Sequence, residues 1–136
     1  MKTFILTVFI ALISFSSYAQ ESNFEAQDVN YSSIVKGADG VRNFKFTNTG
    51  SAPLTILAAK GSCGCTVPTY PKEPIMPGES ANIKVKYDTN RVGAFTKYVT
   101  LTTNATNESA PKLKIFGTVN AEPAATPDAT KSMFNQ

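Results

Sequence analysis

Histidine and tryptophan are absent from this 136-residue chain, arginine occurs only at Arg42 and Arg91, and cysteine only at Cys63 and Cys65. Without histidine, Ser-His-Asp and Cys-His catalysis are excluded, most acid–base mechanisms lose their usual agent, and the commonest metal ligand is missing. The formal charge of +3, with arginine so scarce, is too small for a nucleic-acid binder. The carboxylates are scattered, so a glycosidase-like acid pair has no support. The length suits one domain, too short for an enzyme with a cleft between two. What remains is a non-enzymatic chain with no implied cofactor.

A long apolar run is also missing, except at the N-terminus. Residues 1–20 read MKTFILTVFIALISFSSYAQ, with Lys2 the only charge. The apolar stretch covers 4–13, about half of the ~20 residues a membrane span needs. Ser17 and Ala19 place small residues at the −3 and −1 positions before Gln20. This reads as a signal peptide over 1–19, cleaved between Ala19 and Gln20. No cysteine follows the run, so a lipid anchor is not expected. The mature chain is expected to be soluble, without a membrane span, and periplasmic or extracellular.

Beyond a lead-in at 20–27, no segment repeats with a helical period. Short alternating runs separated by turn residues point to an all-β domain over 28–120. The runs fall at 29–35, 41–47, 54–59, 81–87, 95–103 and 112–119. Phe44 and Phe46 alternate with Asn43 and Lys45. Ile83, Val85 and Tyr87 alternate with Lys84 and Lys86. Val99 and Leu101 are expected on the inner face of their strand. Leu113 and Ile115 oppose Lys112 and Lys114. Pro53 suits a first strand position, and Gly117 suggests a bulge. Asn48-Thr49-Gly50-Ser51 reads as a turn whose Asn and Gly tolerate positive φ, and Pro77-Gly78 as a type II turn. Residues 60–75 read as irregular. Six or seven strands pack most economically as a two-sheet sandwich. The Ala/Pro/Thr-rich segment 121–136, with Met133 and Phe134 near its end, reads as a disordered tail.

Cys63 and Cys65 are the chemical anomaly. Residues i and i+2 of a strand lie about 6.5–7 Å apart, at the edge of disulfide range, and a turn at Gly64 would bring them closer. Three readings are open: a local bond or thiol pair that shapes the loop, a redox-active pair, or two thiolates facing one soft metal. Cu(I) suits two thiolates. Zinc would need further ligands such as Glu73 or Asp88. Lys60 or Lys72 could lower a thiol pKa. Asn30, Asn104 and Asn107 begin glycosylation sequons, which matter only in a eukaryotic secretory pathway. The lysines on the strands read as solvated faces or edge protection.

Three segments together carry a resemblance. They are Gly61-Ser62-Cys63-Gly64-Cys65-Thr66-Val67-Pro68, then Ile75-Met76-Pro77-Gly78-Glu79, then the run from Ile83 through Tyr87-Asp88-Thr89-Asn90 to Gly93. Their combination resembles an exported bacterial family, frequent in Bacteroidetes, known only as domain of unknown function fifteen-seventy-three. The likeness covers roughly 28–119. More loosely, Phe44-Lys45-Phe46-Thr47-Asn48-Thr49-Gly50 followed by Pro53-Leu54 resembles immunoglobulin-like domains of the ASH, major sperm protein and pilus-chaperone type. That resemblance implies a seven-stranded immunoglobulin-like sandwich. It brings no established activity, and no basic pair stands ready to grip a pilin C-terminus.

The expected function is therefore an envelope binding or structural module with an unidentified protein partner in the envelope or outside the cell. The alternative is a thiol-dependent protein using Cys63 and Cys65 for copper binding or disulfide exchange. The leader makes a direct prediction. Intact-mass and N-terminal analysis of envelope-localised protein should find Gln20 first, free or cyclised to pyroglutamate; a retained Met1 would refute the cleavage.

Overall fold

The computed structural model describes residues 18–121; residues 1–17 of the expected leader (1–19) and 122–136 of the expected tail (121–136), with Met133 and Phe134, lie outside the described residues. The described chain is all-β, in two four-stranded sheets, with no helix among the described residues. The strands are β1 (Ser22–Phe24), β2 (Asp28–Val35), β3 (Val41–Asn48), β4 (Ile56–Gly61), β5 (Thr66–Thr69), β6 (Ser80–Tyr87), β7 (Gly93–Thr103) and β8 (Lys112–Asn120). One sheet runs β1-β3-β6-β5, the other β2-β8-β7-β4. Every pairing is antiparallel except β2 on β8.

The period-two pattern builds the interior. Phe44 and Phe46 of β3, with Ile83 and Val85 of β6, turn inward from one sheet. Val99 and Leu101 of β7, with Leu113 and Ile115 of β8, turn inward from the other. All eight are essentially inaccessible to water, and on β3 and β6 their alternating partners are polar. Burying each such side chain contributes about 1.5–3 kcal/mol, so this double layer is the main source of cohesion.

Eight strands rather than seven are present. The two that alternation did not reveal are short. β1 lies inside the expected lead-in, and β5 lies inside the stretch read as irregular. Three or four residues are too few to display a period. Pro53 does not open a strand either. Leu54 makes an isolated bridge to Ile75, and β4 begins at Ile56.

Two turn readings meet different outcomes. Gly78 has φ +80°, and the Glu79 N–H donates to the Met76 carbonyl at 2.9 Å, as a type II turn requires. The 48–51 turn uses no positive φ. Asn48 is instead fully buried at the end of β3. Its Nδ2 donates to the carbonyls of Ala52 and Ile75, both at 2.8 Å, and its Oδ1 accepts from the Gly50 N–H at 2.9 Å. A buried amide so satisfied ties three segments together.

The bulge lies opposite Gly117 rather than on it. The register of β2 shifts between Asn30 and Ser33, and Ser32 takes φ 56°. A Cβ on Gly117 would stand 2.8 Å from the Tyr31 Cβ and 2.9 Å from the Ser32 carbonyl oxygen. At Gly64 nothing lies within 4 Å of an added Cβ, and its φ is not left-handed. Gly117→Ala should therefore cost about 1–3 kcal/mol in urea unfolding, and Gly64→Ala no more than about 0.5 kcal/mol. Equal losses in the two variants would contradict the bulge packing.

Candidate functional site

Cys63 and Cys65 lie where the chain passes from β4 in one sheet to β5 in the other. The Thr66 N–H donates to the Cys63 carbonyl at 3.3 Å, closing a turn over Gly64. That turn brings the two Cα atoms to 5.3 Å, and the sulfurs are joined in a disulfide. The Thr66 hydroxyl stands 3.6 Å from the Cys63 sulfur and 3.8 Å from that of Cys65. Cys65 is 5% exposed, and Cys63 is half-buried. Gly61 permits the crossing, because a Cβ there would overlap the Thr66 carbonyl oxygen.

Two further turns meet this one at the same end of the sandwich. The Asp88 N–H donates to the Cys65 carbonyl at 2.9 Å. The Thr89 hydroxyl donates to the Ala38 carbonyl at 2.7 Å, and the Gly37 N–H to the Thr89 carbonyl at 3.2 Å. Together the three turns line an open depression of about 800 Å³. Its rim carries Asp39, Lys86, Asp88, Asn90 and the exposed Val67.

Beneath the depression lies a packed aromatic floor. Tyr87 and Phe95 stack at 3.9 Å between centroids, and Tyr31 meets Phe95 edge-on at 5.3 Å. The Tyr31 hydroxyl donates to the Gly40 carbonyl at 2.7 Å, and the Arg42 guanidinium lies 4.1 Å from the Tyr31 ring centre. Burial pushes the Tyr31 hydroxyl up to about 12, outweighing the opposing pull of Arg42. It is therefore a neutral hydrogen-bond donor at ordinary pH. At the rim, the Asn90 N–H holds the Asp88 carboxyl below its usual value, with further help from the Asn90 and Arg91 side chains.

The other residues singled out in the sequence are dispersed. Glu73 is exposed between β5 and β6, and Lys72 rests over the Tyr70 ring at 3.5 Å. Lys60 is exposed on β4. Among the described residues, no three His, Cys, Asp or Glu side chains converge on a metal position. The sequon asparagines serve the fold. Asn104 accepts from the Thr55 N–H at 2.8 Å, and Asn107 both accepts from and donates to the Ser22 backbone. Ala19 and Gln20 lie against the domain. The Ala19 carbonyl accepts from the Ser51 N–H at 2.7 Å, and the Gln20 carbonyl from that of Thr106 at 2.6 Å. Tyr31, Gly40 and Thr89 belong to the site, yet nothing in their spacing announced it. They meet only because the 37–40 and 88–90 turns cap one end.

This two-sheet architecture is similar in fold to immunoglobulin-like sandwiches of the PapD-like and ASH kind. An ASH/PapD-like domain of human CEP192 superposes with a TM-score of 0.57 at 9% identity, over 76% of this chain and 88% of that one. The chain belongs to the family described as "Protein of unknown function (DUF1573)", whose model matches residues 22–119. A protein of unknown function from Porphyromonas gingivalis W83 superposes with a TM-score of 0.65 at 13% identity over 79% of this chain. The match covers 51% of that protein's length, so this chain spans about half of it. The periplasmic chaperone SfaE gives a TM-score of 0.55 at 11% identity, over 79% of this chain and 61% of its own. At these identities the likeness is one of fold. No curated protein is significantly similar in sequence.

The cysteine bond closes a very small loop, for which the chain-entropy relation gives only about 1.6 kcal/mol at 25 °C. The Cys63→Ser, Cys65→Ser double variant should therefore still unfold in one cooperative step, with stability lowered by about that amount or less. Thiol release that coincides with global unfolding across a redox titration would make the bond a pillar of the fold instead.

Proposed function

We propose that this chain is an exported binding module of the bacterial envelope, without chemistry of its own, and that it grips a protein partner with the sandwich end built by the three turns. The observation that carries this reading is the depression itself. Its walls are pinned by backbone hydrogen bonds and a disulfide, and Val67, 55% exposed, offers an apolar contact among charged neighbours. A pre-formed concavity with one apolar and several polar contacts is suited to recognition, because little ordering cost falls on binding.

The sheet edges are poorly suited to strand addition, which turns contact toward the loops. β1 has three residues. β5 has four, its Pro68 lacks an N–H, and the Thr66 N–H is spent on Cys63. β2 is bulged, and β4 is bulged at Leu57, whose carbonyl accepts from the Tyr70 hydroxyl at 3.4 Å. Short, bulged and proline-bearing edges resist pairing with another chain. The likeness to a periplasmic chaperone supports an exported setting. Copper binding would require two thiolates, and the sulfurs are bonded to each other.

A photo-crosslinking residue placed at Val67 or Asn90 in the producing cells should yield a discrete protein adduct, while one at Asn82 on the outer face of β6 should not. The adduct should survive the Cys63→Ser, Cys65→Ser change. Equal labelling from all three positions, or none, would reject the site; loss of the adduct in the double variant would restore the thiol reading.

A further inference from the structure

The Asp and Glu residues of the described chain all fall in β2 and the loops; β3 to β8 contain none. The outer sheet faces are therefore basic, but they differ in kind. On the face of β3 and β6, Lys84 and Lys86 stand among Asn, Ser and Thr, and Lys45 is paired with Glu25 at 2.7 Å. On the opposite face the register aligns Lys60 of β4, Thr100 of β7 and Lys112 of β8 in one cross-strand row. The next row pairs Tyr98 with Lys114, and the next Thr96 with Phe116.

Tyr98 is 45% exposed and presents its ring outward in the middle of an interior strand. Lys114 lies 4.8 Å from the Phe116 ring centre and 3.8 Å from Asp28; Lys60 and Lys112 have no ion-pair partner among the described residues. Lys60 and Lys112 are two strands apart, about 10 Å, and Lys112 and Lys114 about 7 Å. The face is thus a flat platform with an aromatic centre, flanking threonine hydroxyls and three ammonium groups.

We propose that this face binds an acidic polysaccharide. An aromatic face packs against the C–H side of a sugar ring, threonine hydroxyls can donate to and accept from ring hydroxyls, and ammonium groups meet the carboxylates of successive sugars. A nucleic acid fits less well, because phosphate recognition favours the arginine fork and β4, β7 and β8 carry no arginine. A membrane surface fits less well, because Tyr98 is the lone markedly exposed aromatic on the platform. This surface is separate from the three-turn end and stands or falls independently of it.

The test uses the purified full chain in affinity electrophoresis and calorimetry with polygalacturonate. Neutral dextran, single-stranded DNA and phosphatidylglycerol vesicles serve as alternatives. Polygalacturonate should bind, and binding should weaken as salt rises. The Lys60→Gln, Lys112→Gln, Lys114→Gln triple variant should lose about tenfold in affinity. Tyr98→Ala should weaken binding while the chain remains folded, whereas Lys84→Gln on the other face should not. Absent polygalacturonate binding, tighter binding to DNA, vesicles or dextran, or equal loss in the control variant would overturn the proposal.

Discussion

Alternation of inward apolar and outward polar side chains on β3, β6, β7 and β8 is the constraint on which the rest of this molecule depends. A strand has a side-chain period of two, so a shift of one residue would turn Phe44, Phe46, Ile83 and Val85 to water and Lys45, Lys84 and Lys86 to the interior. No register displaced by an odd number of residues can satisfy both faces. Once these four strands are set, Lys45, Lys84, Lys86, Lys112 and Lys114 emerge on the outer faces, while Lys97 keeps the inward parity of Phe95 and Val99 at partial burial; the carboxylates of the described residues lie in β2 and the loops.

The remaining strands are positioned by close approaches rather than by hydrophobic pattern. Gly61 lets the Thr66 carbonyl come against β4, so the chain can cross from one sheet to the other in a single turn. Gly117 admits the bulged Tyr31–Ser32 segment of β2 onto β8, and this delivers Tyr31 to the stack with Tyr87 and Phe95. The aromatic floor and the three-turn depression above it therefore depend on close approaches at Gly61 and Gly117, and at Gly40, where a Cβ would overlap the Tyr87 carbonyl oxygen. The disulfide belongs to the same region. It fixes the shape of a turn whose neighbours are already joined by the Asp88–Cys65 and Thr66–Cys63 hydrogen bonds.

Membership of a family without assigned activity leaves function to be argued from the site. The two proposed surfaces differ in character. The turn end is concave, rigid and mixed in charge, which suits a protein contact. The β4-β7-β8 face is flat, basic and aromatic, which suits an extended anionic polymer. The turn end borrows Cys65 and Tyr87 from the core, while the platform is built from outward residues.

All-β character, the runs of β3, β6, β7 and β8 with their inner faces and the type II turn at Pro77-Gly78 were legible directly, because each depends on neighbours within a few residues. The family likeness was legible as well, carried by the Cys-Gly-Cys-Thr turn and the segments that follow it. The short strands β1 and β5, the burial of Asn48 and the position of the bulge were decided only by the tertiary structure. So were the meeting of the 37–40, 63–66 and 88–90 turns and the row from Lys60 to Lys112. A strand of three or four residues has no period to read, and an asparagine beside a glycine resembles a turn residue whether it faces water or the core. Which turns share an end and which side chains share a row depend on sheet order, and sheet order is set by packing between residues far apart in the chain.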